Sequence, residues 1–138
     1  MFGMLVILKT VAGKYNYNSF ESFTKLKIHF IHVYGHVIRH WTMRTPESAV
    51  YVMTKDQRAT IPVDIRNMAY ELMSYVRLHL NLTESLRKAL NCIEDLQKEH
   101  RALLQEAMIN NVQKLAETLL SAMINPSIIR FNEGKHAK

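Results

Sequence analysis

From Ile61 to Ile124, apolar residues recur at three and four residue spacing without interruption until Pro126, which predicts one very long helical segment. With Ile65 as heptad position a, the a positions are Ile65, Leu72, His79, Leu86, Ile93, His100 and Ala107. The d positions are then Met68, Tyr75, Leu82, Ala89, Leu96 and Leu103, an apolar seam with two histidines set into it on the a side. The flanking positions are apolar as well, at Ala69, Val76, Leu90 and Leu104 (e) and at Leu78 and Cys92 (g). A stripe that wide predicts a helical bundle, or packing on other segments of the same chain, rather than a free two-stranded zipper. Thr60 and Pro62 fit a helix start, with Asp64 near its positive end. Asn81-Leu82-Thr83-Glu84 has capping-box spacing and the register slips near Asn110, so the segment is either one kinked helix or two or three shorter ones.

Ser19 to Thr42 is the second patterned stretch. Phe23, Leu26, Phe30, Val33, Val37 and Trp41 fall on one face of a helix that Ser19 can cap, and Thr45-Pro46-Glu47 fits a helix restart. The many β-branched and aromatic residues make a strand over Lys25 to Tyr34 the alternative. The opening Met1 to Leu8 is apolar, too short to span a bilayer and without a basic leader before it, so a buried strand or a packed arm is expected there. Together these patterns predict a mainly α fold, a helical bundle with one long coiled-coil-like helix, in which a short N-terminal strand or β-hairpin is the only sheet. Residues 1–60 form a basic region with the helix at 19–42, residues 61–125 the oligomerisation helix, and residues 126–138 a tail with an apolar patch at Ile128, Ile129 and Phe131.

Charge and composition sharpen this only in part. The 138 residues carry a net charge of +6, and residues 1–60 hold eight Lys or Arg against Glu21, Glu47 and Asp56, leaving +5 there. A basic first half suits nucleic acid, an anionic membrane surface or an acidic partner, and equally a solvated basic face. Cys92 is the single cysteine, so no internal disulfide can form and an intracellular, reducing compartment is expected. No glycine-rich phosphate loop, Cys-x-x-Cys pair or nucleophile elbow occurs, which leaves a catalytic role without support.

Three sets of residues carry candidate chemistry. On a helix, His29, His32, His36 and His40 would lie within a sector of about 80° and could share a transition metal. On a strand, only His32, His36 and His40 would share a face. The seam residues Leu72, Leu82, Leu86, Ile93, Leu96 and Leu103 are the candidate interface for self-association or for other helical subunits. Finally, Val52, Thr54, Lys55, Gln57, Thr60, Ile61, Pro62, Asp64, Ile65 and Arg66 form a run similar to the opening of the AbrB/MazE swapped-hairpin DNA-binding family. That resemblance covers residues 52–66 and implies dimerisation through interleaved hairpins, with Lys55, Arg58 and Arg66 contacting DNA phosphates. The expected function is that of a non-catalytic helical interaction or structural subunit. A DNA-binding regulator and a His-rich metal-binding bundle are the alternatives.

Overall fold

The computed structural model describes residues 2–110 and the strand at 128–132. Its elements are α1 (Phe2–Lys14), α2 (Phe20–Thr24), β1 (Ile28–Tyr34), β2 (Val37–Glu47), β3 (Val50–Thr60), α3 (Met68–Asn110) and β4 (Ile128–Asn132). The strands form one sheet in the order β1-β2-β3-β4, antiparallel through β3 and parallel between β3 and β4. The fold is therefore a sheet covered by helices, and the mainly α bundle is overturned.

The correction is greatest at the segment 19–42. Ser19 does cap a helix, its hydroxyl accepting from the Ser22 N–H, but that helix ends at Thr24. From Ile28 onward the β-branched and aromatic side chains take the extended form, where their χ1 restriction costs least. Gly35 turns the chain at φ +57, and Tyr34 pairs with Val37 across a two-residue hairpin loop that a helical reading of this stretch passes over. Pro46 starts no helix and instead sits near the end of β2. A second two-residue turn, Ser48-Ala49, joins β2 to β3, with Ala49 at φ 59.

The N-terminal segment is a helix rather than a strand or arm. Met4, Leu8 and Ala12, spaced four apart, form the buried side of α1. They pack on Ile28, Met43 and Met53, which are opposite one another in the register and so share one sheet face. Phe23, Leu26, Tyr51 and Leu96 complete this cluster. A smaller cluster on the other face joins the cross-strand pair Ile38 and Ala59 to Leu78 of α3.

The long helix starts at Met68, seven residues later than Ile61, because Ile61 still donates its N–H to the His36 carbonyl at the sheet edge (2.7 Å). It passes unbroken through Asn81. Thr83 donates its hydroxyl to the carbonyl of His79 (2.9 Å), as inside a continuous helix, so the capping-box spacing there is unused. The register slip past Asn110 lies outside the described residues. At about 1.5 Å per residue α3 is roughly 64 Å long, while the eleven-residue strands span about 36 Å. Between α1 and α2 the chain crosses α3 and is tied to it. The Asn18 amide donates to the Leu96 carbonyl (2.7 Å), the Ser19 N–H to the Glu99 carboxylate (3.1 Å) and the Tyr17 N–H to His100 Nδ1 (3.4 Å).

Ala49 holds a left-handed backbone that costs an L-residue about 1–2 kcal/mol. Ala49→Gly should therefore raise unfolding free energy by about 0.5–1 kcal/mol after the greater chain entropy of glycine is offset, as measured by urea denaturation. A loss of stability would show that the β2–β3 turn is built differently.

Candidate functional site

The strand register sorts the candidate side chains onto two sheet faces. Starting from the buried row Ile28–Met43–Met53, the next row on that face is Phe30–Trp41–Lys55, then His32–Arg39–Arg58, then Tyr34–Val37–Thr60. Helix α1 reaches only the first row with buried contacts, and the outer rows open to solvent: Phe30 is 40% and Tyr34 74% exposed. The Lys55 ammonium stands 5.9 Å from the centre of the Trp41 ring, and the Phe30 and His32 rings lie nearly parallel, 17° apart in plane with centroids 6.5 Å apart. Arg39 and Arg58 face each other directly, an arrangement of like charges that destabilises a sheet unless something neutralises it.

The opposite face carries His29 and His40. They sit diagonally across β1 and β2, rings stacked with centroids 5.2 Å apart and His29 Nδ1 2.9 Å from His40 Nε2. The remaining nitrogens, His29 Nε2 and His40 Nδ1, are buried without a partner. Beside them β3 carries one extra residue, Asp56, between Lys55 and Gln57, and its carboxylate accepts from the Thr42 hydroxyl (3.1 Å). Burial pushes both imidazoles below their ordinary value. The neighbouring His40 lowers His29 further, and Asp56 partly opposes the shift in each. A cleft of about 250 Å³ opens here between the sheet and α3, lined by Lys25, Lys27, His29, Asp56, Ser85 and Lys88.

The four-histidine cluster is thus divided. His29 and His40 meet, while His32 lies on the other face and His36 occupies the exposed hairpin turn. The single-strand alternative, which grouped His32, His36 and His40, fails for the same reason. The turn at Gly35 resets the alternation, so parity counted through it misassigns β2. Among the described residues no group of three or more His, Cys, Asp and Glu could hold a metal.

Lys55 and Arg58 come together on the open face, but Arg66 does not join them. It lies in the connector before α3, its guanidinium on Asp64 at 2.9 Å. The seam residues also separate. Leu82 and Leu96 are buried against the chain's own sheet side, Ile93 and Leu103 are half-buried, and Leu72 and Leu86 are exposed. Position d, with g, turns inward, and position a, with e, turns outward. His79 is exposed with Tyr75 edge-on at 4.4 Å, and His100 lies between Tyr15 and Tyr17. Sequence reasoning missed Arg39 and gave Phe30 and Trp41 to a helical core stripe. Their signal was the period of two that begins on either side of Gly35.

Among the described residues no helix is long and apolar enough to cross a membrane. No protein-family model, curated protein or solved structure matches this chain.

The histidine pair predicts a pH response. The folded chain resists protonation at these imidazoles, whereas the unfolded chain takes up protons near their ordinary value of about 6.5. Stability is thus intact above that value and declines as pH falls through it toward the lowered folded values. Melting temperature should drop between about pH 7.5 and pH 5.5, and the drop should be shallower in a His29→Gln, His40→Gln double variant. Parallel slopes in the two proteins would remove the pair as the cause.

Proposed function

We propose that this chain is a non-catalytic association subunit that pairs with a second copy of itself along the outward a and e positions of α3. The observation that carries this reading is the apolar stripe of Leu72, Met73, Val76, Leu80, Leu86 and Leu90, each between 43% and 67% exposed. Leu72 and Val76, then Leu86 and Leu90, repeat at heptad spacing on the side of the helix turned away from Leu78, Leu82 and Leu96. A stripe of this kind gains about 1.5–3 kcal/mol per leucine when fully covered, which is the drive for association.

Charge does not oppose a self-pairing. The helix carries Arg77, Arg87, Lys88, Lys98 and Arg101 against Glu71, Glu84, Glu94, Asp95, Glu99 and Glu106, so two copies meet with nearly balanced charge. Several are already matched within the helix, as Glu84 is with Arg87 at 2.8 Å and with Lys88 at 3.7 Å. Such exposed pairs add little stability and leave the apolar stripe to drive assembly. A reducing interior suits the subunit, since Cys92 is its only thiol and burial pushes that thiol's pKa up, away from the reactive thiolate. The non-catalytic reading rests on the sequence, in which no catalytic motif was found.

The test is native mass by light scattering on the full chain. The wild-type protein should run as a multiple of 16.1 kDa. A Leu86→Glu, Leu90→Glu variant should run at the mass of one chain while keeping the strand signal in circular dichroism. Leu82→Asp provides the contrast. It places a charge in the core and should cost several kcal/mol of protomer stability. A wild-type monomer would overturn the pairing and leave the stripe to a different helical subunit.

A further inference from the structure

The open sheet face is not used by the association just described, and its composition is unlike an ordinary solvated face. Three aromatic rings and three permanent cations alternate over three adjacent rows, with Trp41 beside Phe30, Lys55 over Trp41, and Arg39 opposite Arg58. Strands β1 to β3 carry only Glu47 and Asp56 as acids. Glu47 closes the β2–β3 turn, and the Asp56 carboxylate is engaged with Thr42 on the histidine face. No side-chain acceptor partners Arg39, Lys55 or Arg58 among the described residues, so the face presents uncompensated positive charge around flat apolar rings.

That combination matches one ligand chemistry. Phosphates need cations spaced along a groove, and unpaired bases need exposed aromatic faces on which to stack. Duplex DNA offers the phosphates but keeps its bases stacked on one another, so it would leave Phe30 and Tyr34 unused. An acidic peptide would satisfy the arginines but not the rings. We infer that the face formed by Phe30, Tyr34, Arg39, Trp41, Lys55 and Arg58 binds single-stranded nucleic acid, with bases stacked on the aromatic rows and phosphates on the flanking cations. The inference does not depend on the likeness over residues 52–66, since Arg66 takes no part and the partner differs from the duplex DNA that the likeness implies. It is likewise independent of pairing through α3.

Neutralising the Arg39–Arg58 repulsion is the electrostatic reason for such a ligand to be favoured. The same fact makes the site separable from stability, because replacing those arginines removes repulsion and no hydrogen bond. Trp41 supplies a built-in reporter, as it is the only tryptophan in the chain.

The experiment uses the full chain with fluorescein-labelled oligothymidine and oligouridine of about twenty nucleotides, read by anisotropy and by Trp41 emission. Binding with quenched Trp41 emission is expected for one or both strands, and the tighter of the two identifies DNA or RNA as the source. With three phosphate-neutralising cations, the slope of log K against log salt should be about −2, a loss of roughly twentyfold between about 50 and 200 mM salt. Arg39→Gln with Arg58→Gln should weaken binding at least about tenfold and flatten the slope by roughly 1.4, at an unchanged or higher melting temperature. Phe30→Ala should weaken binding about tenfold without changing the slope. The inference is overturned by no binding at low salt, by a duplex of equal length binding as tightly without quenching, or by Phe30→Ala binding like wild type.

Discussion

The packing of one edge of α3 on one face of the sheet is the contact on which the remaining architecture depends. An antiparallel sheet of three strands must cover at least one face, and here the cover is a helix whose inward residues are Leu78, Leu82 and Leu96. Fully burying three leucines contributes about 4–9 kcal/mol, comparable to the whole net stability of a domain this size. The bonds from Tyr17, Asn18 and Ser19 then fix the helix where α1 and α2 meet, so the N-terminal elements and α3 lock each other in place. With α3 on that face and α1 confined to the innermost row of the other, the outer rows of the sheet and the outer stripe of the helix are left uncovered.

That same contact contains its own weak section. Between Leu82 and Leu96 the helix presents Ser85 and Ala89 to the sheet, and beneath this stretch lie His29, His40, Thr42 and Asp56 rather than aliphatic side chains. Small residues above polar ones leave the cleft of about 250 Å³, and lysines 25, 27 and 88 line it. Polar atoms here remain buried without partners, which costs about 1–3 kcal/mol for each when truly dry. The cover is therefore firm at its two leucine ends and sensitive to protonation in its middle.

Legibility in the sequence followed how far each pattern depends on partners distant in the chain. The long helix was readable because its period persists over many turns, and so was the Ser19 cap, whose bond is to a residue three positions away. What failed was the stretch from Ile28 to Glu47, where apolar residues at 30, 33, 37 and 41 satisfy helical spacing by coincidence. A single glycine decides that case, because Gly35 in its left-handed conformation ends one strand and starts another. Once the hairpin is missed, the alternation on both sides is lost, and with it the pairing of His29 with His40 and the row containing Arg39. Likewise, no heptad count could reveal that positions d and g of α3 would be consumed by the chain's own sheet, since that sheet had not been foreseen. The seam was legible as apolar but not as divided.

The division has a geometric consequence that neither surface carries alone. Because α3 lies on the histidine face of the sheet, its outward stripe and the aromatic-basic face point in opposite directions. Two copies joined through their helices would therefore turn both sheet faces outward, with neither blocked by the interface. A strand long enough to reach both faces would meet the second site at an effective concentration set by the intervening nucleotides, so modest affinity at each face could combine into tight binding. A shorter strand would gain nothing from assembly. Pairing and nucleic-acid binding would then be coupled through ligand length, although they share no residue.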